Sequence, residues 1–183
     1  MKRLVKTLAL ASALSALLAA GAQAQGVDWQ YPAVKGFGPV VPIPEASARP
    51  EGDLAYKVVF DVTQDRPGDG RVSPGLASVA RFVNLLAISG MDPRQADIVA
   101  VLHASATPAV IKDENYRRRF GTPNPNAELI RQLEANGAEV VVCGQALAGA
   151  GFGLDEVMAP VEVSISAMTE LAQRQLQGYA VMP

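Results

Sequence analysis

The stretch Ala138-Glu139-Val140-Val141-Val142-Cys143-Gly144-Gln145-Ala146-Leu147 decides how the rest of the chain is read. Three consecutive β-branched residues favour a strand covered on both faces, as in a parallel sheet, over an alternating surface strand. Such a strand delivers Cys143, the only cysteine of the 183 residues, at its carboxyl end. In open α/β sheets ligands and chemistry collect there, because crossover helices cover the faces and leave the strand tips accessible. The reading therefore expects a sulfur displayed at the sheet rim, within reach of outside molecules. Gly144 follows at once and permits close approach or an unusual backbone angle. A short helix from Gln145 to Ala150 would aim unpaired N–H groups at the sulfur and favour the thiolate.

A second apolar run, Ala96 to Leu102, delivers His103, the only histidine, as the first delivers Cys143. Two strand ends presenting these groups invite a thiolate–imidazolium pairing, since a nearby cation lowers a thiol's pKa. The other reading of His103 is a ring satisfied by a loop carbonyl. One cysteine and one histidine fall short of the three or four ligands of tetrahedral zinc, and no Asp or Glu spacing completes them. Neither a metal nor a cofactor is expected.

Further outward, Tyr56 to Val62 has a strand pattern, followed by a polar loop whose Asp65 and Asp69 match no calcium motif and read as solvated turn residues. Ser73-Pro74 starts a helix with Leu76, Val79, Ala80, Val83, Leu86 and Ala87 at helical spacing, closed by Gly90. Pro108 to Asn126 reads as irregular. Its Arg117-Arg118-Arg119 run is either an anion site or a solvated or subunit-contact face. Asn124-Pro125-Asn126 then supplies turn and cap signals for a short amphipathic helix with Leu129, Ile130 and Leu133, closed by Gly137. Gly149, Gly151 and Gly153 have the wrong spacing for a dinucleotide loop and read as a tight connection. Val161 to Ile165 gives a fourth strand. Ser166 caps a helix expected to turn Met168, Leu171, Ala172 and Leu176 inward, and Tyr179 to Met182 adds a last strand. This alternation implies an α/β fold, a mostly parallel sheet with helices on both faces.

The N-terminus speaks of location. Lys2, Arg3 and Lys6 precede an apolar stretch from Leu8 to Ala20, and Ala22-Gln23-Ala24 is a signal-peptidase pattern, so residues 1–24 read as a signal peptide cut after Ala24. The apolar stretch is short for a membrane span, which points to a soluble periplasmic or secreted protein with no span in the mature chain. Three of the 16 Lys and Arg leave with the leader, so 13 face 18 Asp and Glu, a net charge of −5 that argues against a nucleic-acid partner. A lone cysteine in an exported chain makes no internal disulfide, so its thiol is either buried or reactive.

Residues 25–53 carry five prolines and four glycines, which exclude a long helix or a central strand. Trp29, Tyr31 and Phe37 lie among them, more apolar area than a solvated linker carries, so this arm is expected to pack on the body or on a neighbouring subunit. Residues 54–183 form the single α/β domain.

The Tyr-Lys-Val-Val-Phe-Asp-Val strand from Tyr56, the Val-Leu-His segment ending at His103, Asn124-Pro125-Asn126, the Val-Cys-Gly-Gln-Ala-Leu segment around Cys143 and the closing Gln-Leu-Gln-Gly-Tyr-Ala run together resemble the DsrE/DsrF-like proteins, which include TusD-type sulfur-relay subunits. The resemblance runs from about Tyr56 to the C-terminus. It implies a compact α/β sandwich assembled as homo-oligomers such as trimers or hexamers. In relay members a cysteine at the position of Cys143 carries persulfide sulfur. Those members work in the cytoplasm with dedicated partners, whereas this chain adds an export leader and a proline-rich arm.

The leading expectation is thiol or sulfur handling, with Cys143 as persulfide carrier, His103 beside it, and a donor or acceptor that is a protein or a small thiol. An unperturbed thiol is only about 3% ionised at neutral pH, so the local field would have to raise that fraction. The alternative is a non-catalytic oligomeric binding protein in which Cys143 fills a core site. A thiol-based metal or redox sensor is a third option and requires further ligands or an intermolecular disulfide. The absence of Cys-x-x-Cys argues against a thioredoxin-like oxidoreductase.

Overall fold

The structure, a computed structural model, describes residues 27–183. The expected leader and its cut after Ala24 lie outside the described residues. Five strands, β1 (Lys57–Val62), β2 (Asp97–Leu102), β3 (Ala138–Cys143), β4 (Glu162–Ser164) and β5 (Ala180–Met182), form one sheet in the order β4-β3-β2-β1-β5, with every neighbouring pair parallel. Between them run α1 (Pro74–Ile88), α2 (Asp113–Phe120), α3 (Ala127–Ala135), α4 (Gly144–Ala150) and α5 (Ala167–Leu176). No helix of the described residues is long and apolar enough to cross a membrane.

Side-chain alternation divides the sheet into two unequal faces. Val58, Phe60, Val62, Ile98, Ala100, Leu102, Val140 and Val142 point to one side, where Leu76, Val79 and Val83 of α1 and Leu129, Ile130 and Leu133 of α3 cover them. Each such aliphatic side chain contributes about 1.5–3 kcal/mol when fully buried, so this face holds most of the fold's stability. The other side shows Val59, Val99, Val101, Val141 and Cys143, covered by Ala167 and Leu171 of α5. Helices thus lie on both faces, as the sequence predicts.

Local sequence accounts for the element ends. The Ser73 hydroxyl accepts the Leu76 N–H and Pro74 occupies the first turn of α1. Asn126 precedes α3, but its side-chain oxygen accepts the Ser73 N–H instead of capping its own helix, tying the starts of α1 and α3 together.

Two expectations are corrected here. The stretch from Pro108 to Asn126 is not wholly irregular: Asp113–Phe120 is helical, with acidic residues in its first turn, arginines in its last, and Gly121 at a φ of 76° to end it. Helix α5 is rotated relative to expectation. Ala167, Leu171 and Arg174 face the sheet, whereas Met168 and Leu176 are 81% and 90% exposed. A charged residue occupies the inward stripe because acids await it there: Arg174 Nη2 donates to Glu139 Oε1 of β3 at 2.5 Å and Nε donates to Glu170 Oε1 at 2.7 Å. Burial opposes the guanidinium charge, but these bonds outweigh it and raise its pKa.

The arm packs on the outside of α1 and α3. Gln30 and Val40 form an antiparallel bridge, and Val34, fully buried, joins the larger core. Buried Asn84 of α1 holds the intervening loop: its oxygen accepts from the N–H groups of Ala33 and Val34, and its amide donates to the carbonyls of Phe37 and Gly38. Gly38 sits at a φ of +59° with its Cα against α1, where an added Cβ would lie 2.2 Å from the Arg81 nitrogen.

Candidate functional site

Cys143 ends β3 and serves as the N-cap of α4, its Sγ accepting the Ala146 N–H at 3.4 Å. The strand-to-helix turn is tight because Gly144 lies against β4, where a Cβ would come within 3.0 Å of the Ser164 carbonyl. The sulfur is at the strand tip, as expected, but it is not openly displayed. Cys143 is 5% exposed and clusters with Val101, Val141 and Ala167. The expectation of a sulfur in free contact with solvent is corrected accordingly: the start of α5 closes over this end of the sheet.

His103 stands one residue beyond β2, in extended backbone, and its N–H donates to the Val62 carbonyl so that the ladder continues to it. The β2–β3 register ends at Leu102 opposite Val142, so His103 and Cys143 are the next residues on neighbouring strands, which run about 4.8 Å apart. By alternation with Val99, Val101 and Val141, both side chains belong to the α5 face. The imidazole, however, is engaged on its other side. Nε2 lies 2.7 Å from Asp61 Oδ1 on β1. Neither sequence reading of His103 describes this arrangement, since the ring contacts a carboxylate rather than a thiolate or a loop carbonyl.

Asp61 is the residue that sequence reasoning missed. Its signal was a carboxylate inside the otherwise apolar run Val58-Val59-Phe60-Asp61-Val62, where a central parallel strand ordinarily carries none. With His103 it forms a hydrogen-bonded couple whose side chains are 28% (His103) and 33% (Asp61) exposed. Ala104, directly after His103, has a φ of 52°, a left-handed conformation that costs a non-glycine residue of the order of 1 kcal/mol. The strain marks the point where the chain leaves the sheet.

The other residues singled out by sequence are occupied elsewhere. Arg117 pairs with Asp113, Arg118 lies 3.7 Å from Glu156, and Arg119 donates to the Ala150 carbonyl while stacking on Phe152. These contacts give the arginine run a structural use, and the anion-site reading is set aside. Asp65 is not a freely solvated turn residue: its Oδ2 is buried without a partner, and burial pushes its carboxyl pKa up. Gly151, at a φ of 73°, ends α4 and makes the tight connection expected of it. No group of three or more His, Cys, Asp or Glu side chains that could hold a metal ion occurs among the described residues.

The model of the DsrE/DsrF-like family matches residues 57–183. A solved structure of a protein of unknown function from Methanobacterium thermoautotrophicum, MTH1491, is similar at 21% identity with a TM-score of 0.51, covering 69% of this chain and 97% of that one. The ychN protein of E. coli is similar at 19% identity with a TM-score of 0.49, covering the same shares. No curated protein matches the chain. The arm, residues 27–53, lies outside the family match.

Proposed function

Because the chain belongs to the DsrE/DsrF-like family, we propose that it handles sulfur, with Cys143 taking up and passing on a persulfide sulfur. The observation that carries this reading is the placement of Cys143 at the tip of a central parallel strand, on the same face as the His103 side chain at the neighbouring tip. Loading is a thiol–persulfide exchange. The Cys143 thiolate attacks the outer sulfur of a donor persulfide, a bond forms to that sulfur, and the donor's S–S bond breaks with its electron pair on the donor sulfur, which takes up a proton. His103 is the second site residue.

The structural reading of Cys143 is favoured by one observation, its 5% exposure within an apolar cluster. Treating the protein with inorganic polysulfide separates the two. The carrier reading expects a mass gain of one sulfur atom at Cys143 and alkylation faster than that of a free small thiol. No adduct, together with slow alkylation and a Cys143→Ala variant of nearly unchanged stability, would leave the structural reading.

The protein is further proposed to be exported and to assemble as a homo-oligomer, a trimer or hexamer. The leader pattern in residues 1–24 supports the first point. The exposed apolar side chains of Ile165, Met168 and Leu176 support the second. Native mass spectrometry of protein from its own cells reads both at once: protomers beginning at Gln25 in a defined multimer are expected, whereas full-length monomers would overturn both proposals.

A further inference from the structure

Resting on the reading of Cys143 as a carrier, we propose that Asp61 and His103 form a proton shuttle for the unloading step, and that the acceptor is a protonated thiol rather than an anion with no proton to lose. Three adjacent strands supply the groups: Asp61 from β1, His103 from the end of β2 and Cys143 from the end of β3, all on one face of the sheet. An ionised carboxylate can only accept, so the 2.7 Å contact places a hydrogen on Nε2, and the neutral ring held this way has its lone pair on Nδ1. Asp61 thereby fixes the tautomer in which the ring acts as a base, and offsets the positive charge that forms when it does. Asp61 is a positioning residue; the proton moves at His103. Both side chains are about a third exposed, so a thiol arriving from solvent can reach the ring.

The step balances without an oxidant. The acceptor thiol gives its proton to Nδ1, and its sulfur attacks the outer sulfur of the Cys143 persulfide. A new S–S bond forms on the acceptor. The bond between that outer sulfur and Sγ breaks, its electron pair stays on Sγ, and the imidazolium returns the proton there. The products are an acceptor persulfide and the Cys143 thiol. A thiol with a pKa of about 8.5 is mostly protonated at neutral pH, so a base at this position accelerates its attack. Sulfite already attacks as an anion and needs no such help.

The test is selective for this chemistry. Full-length wild type, Asp61→Asn, Asp61→Glu and His103→Gln are loaded with inorganic polysulfide, and transfer to glutathione and to sulfite is timed at about pH 7, where an ordinary thiol is only about 3% ionised. Asp61→Asn and His103→Gln are expected to slow transfer to glutathione by about tenfold while leaving transfer to sulfite within about twofold, with partial rescue by Asp61→Glu. Equal slowing with both acceptors, or no slowing with either, overturns the shuttle and leaves the carrier reading intact. Failure of the wild type to load at Cys143 overturns the carrier reading, and the shuttle with it.

Discussion

Replacing Asn84 with alanine is expected to destabilise the protein by about 2–4 kcal/mol and to open the arm to protease ahead of the body. The magnitude follows from what one side chain holds. Its two polar atoms satisfy two N–H groups and two well-placed carbonyls of the loop 33–38, and the site is fully buried. An isolated buried donor or acceptor left unpaired costs about 1–3 kcal/mol, and the total is capped because the loop can lift away and find water. Lifting would also uncover Val34, which adds the loss of its burial. Limited proteolysis with mass mapping and chemical denaturation check the two parts. A loss of less than about 0.5 kcal/mol, within the range of an ordinary surface substitution, would show that the arm is held by something other than this clamp.

Arg174→Ala is expected to cost about 3 kcal/mol, because it strands two partly buried carboxylates facing each other across the gap. The guanidinium side chain is 15% exposed, bridges Glu139 of β3 to Glu170 of its own helix, and stacks near the Tyr179 ring. A surface pair would be worth far less. The triple change Arg174→Met, Glu139→Leu, Glu170→Leu is expected to recover most of the loss, since replacing a whole buried ionic cluster by apolar groups is often neutral or better. Urea unfolding of the single and triple variants distinguishes a cost of unpaired charge from a cost of lost volume; a triple variant weaker than the single one would assign the effect to packing.

Much of the architecture was legible because the sheet's inner strands are apolar on both faces. Val140 to Val142 and Ile98 to Leu102 announce buried parallel strands through β-branched runs, and the Ser73-Pro74 start of α1 is a local signal that survives intact in the fold. Helix α2 was not legible. Its Asp-Glu-Asn-Tyr-Arg-Arg-Arg-Phe sequence has no apolar period, and it is held instead by its charge order, by Gly121, and by Tyr116, whose buried ring carries a hydroxyl that accepts the Gly68 N–H. The roll of α5 escaped for a related reason. Methionine and leucine outrank arginine on any hydropathy reading, and only the acids on β3 and α5 explain why Arg174 turns inward.

The site divides along the same line. Position along a strand is a property of the chain, so Cys143 and His103 could be assigned to strand tips before any coordinates. Which groups meet across strands is a property of register. That is why Asp61, forty-two residues from His103 in sequence, became its partner only once β1 and β2 were paired residue by residue. Burial of the sulfur is likewise a tertiary outcome, set by how α5 crosses the sheet.

The arm is anchored to α1 and α3, and the sulfur faces the opposite layer. A fluorophore attached at residue 27 would therefore sit on the α1 and α3 side of the sheet, away from Cys143. Labels introduced there can report on the molecule without touching the layer that holds Cys143.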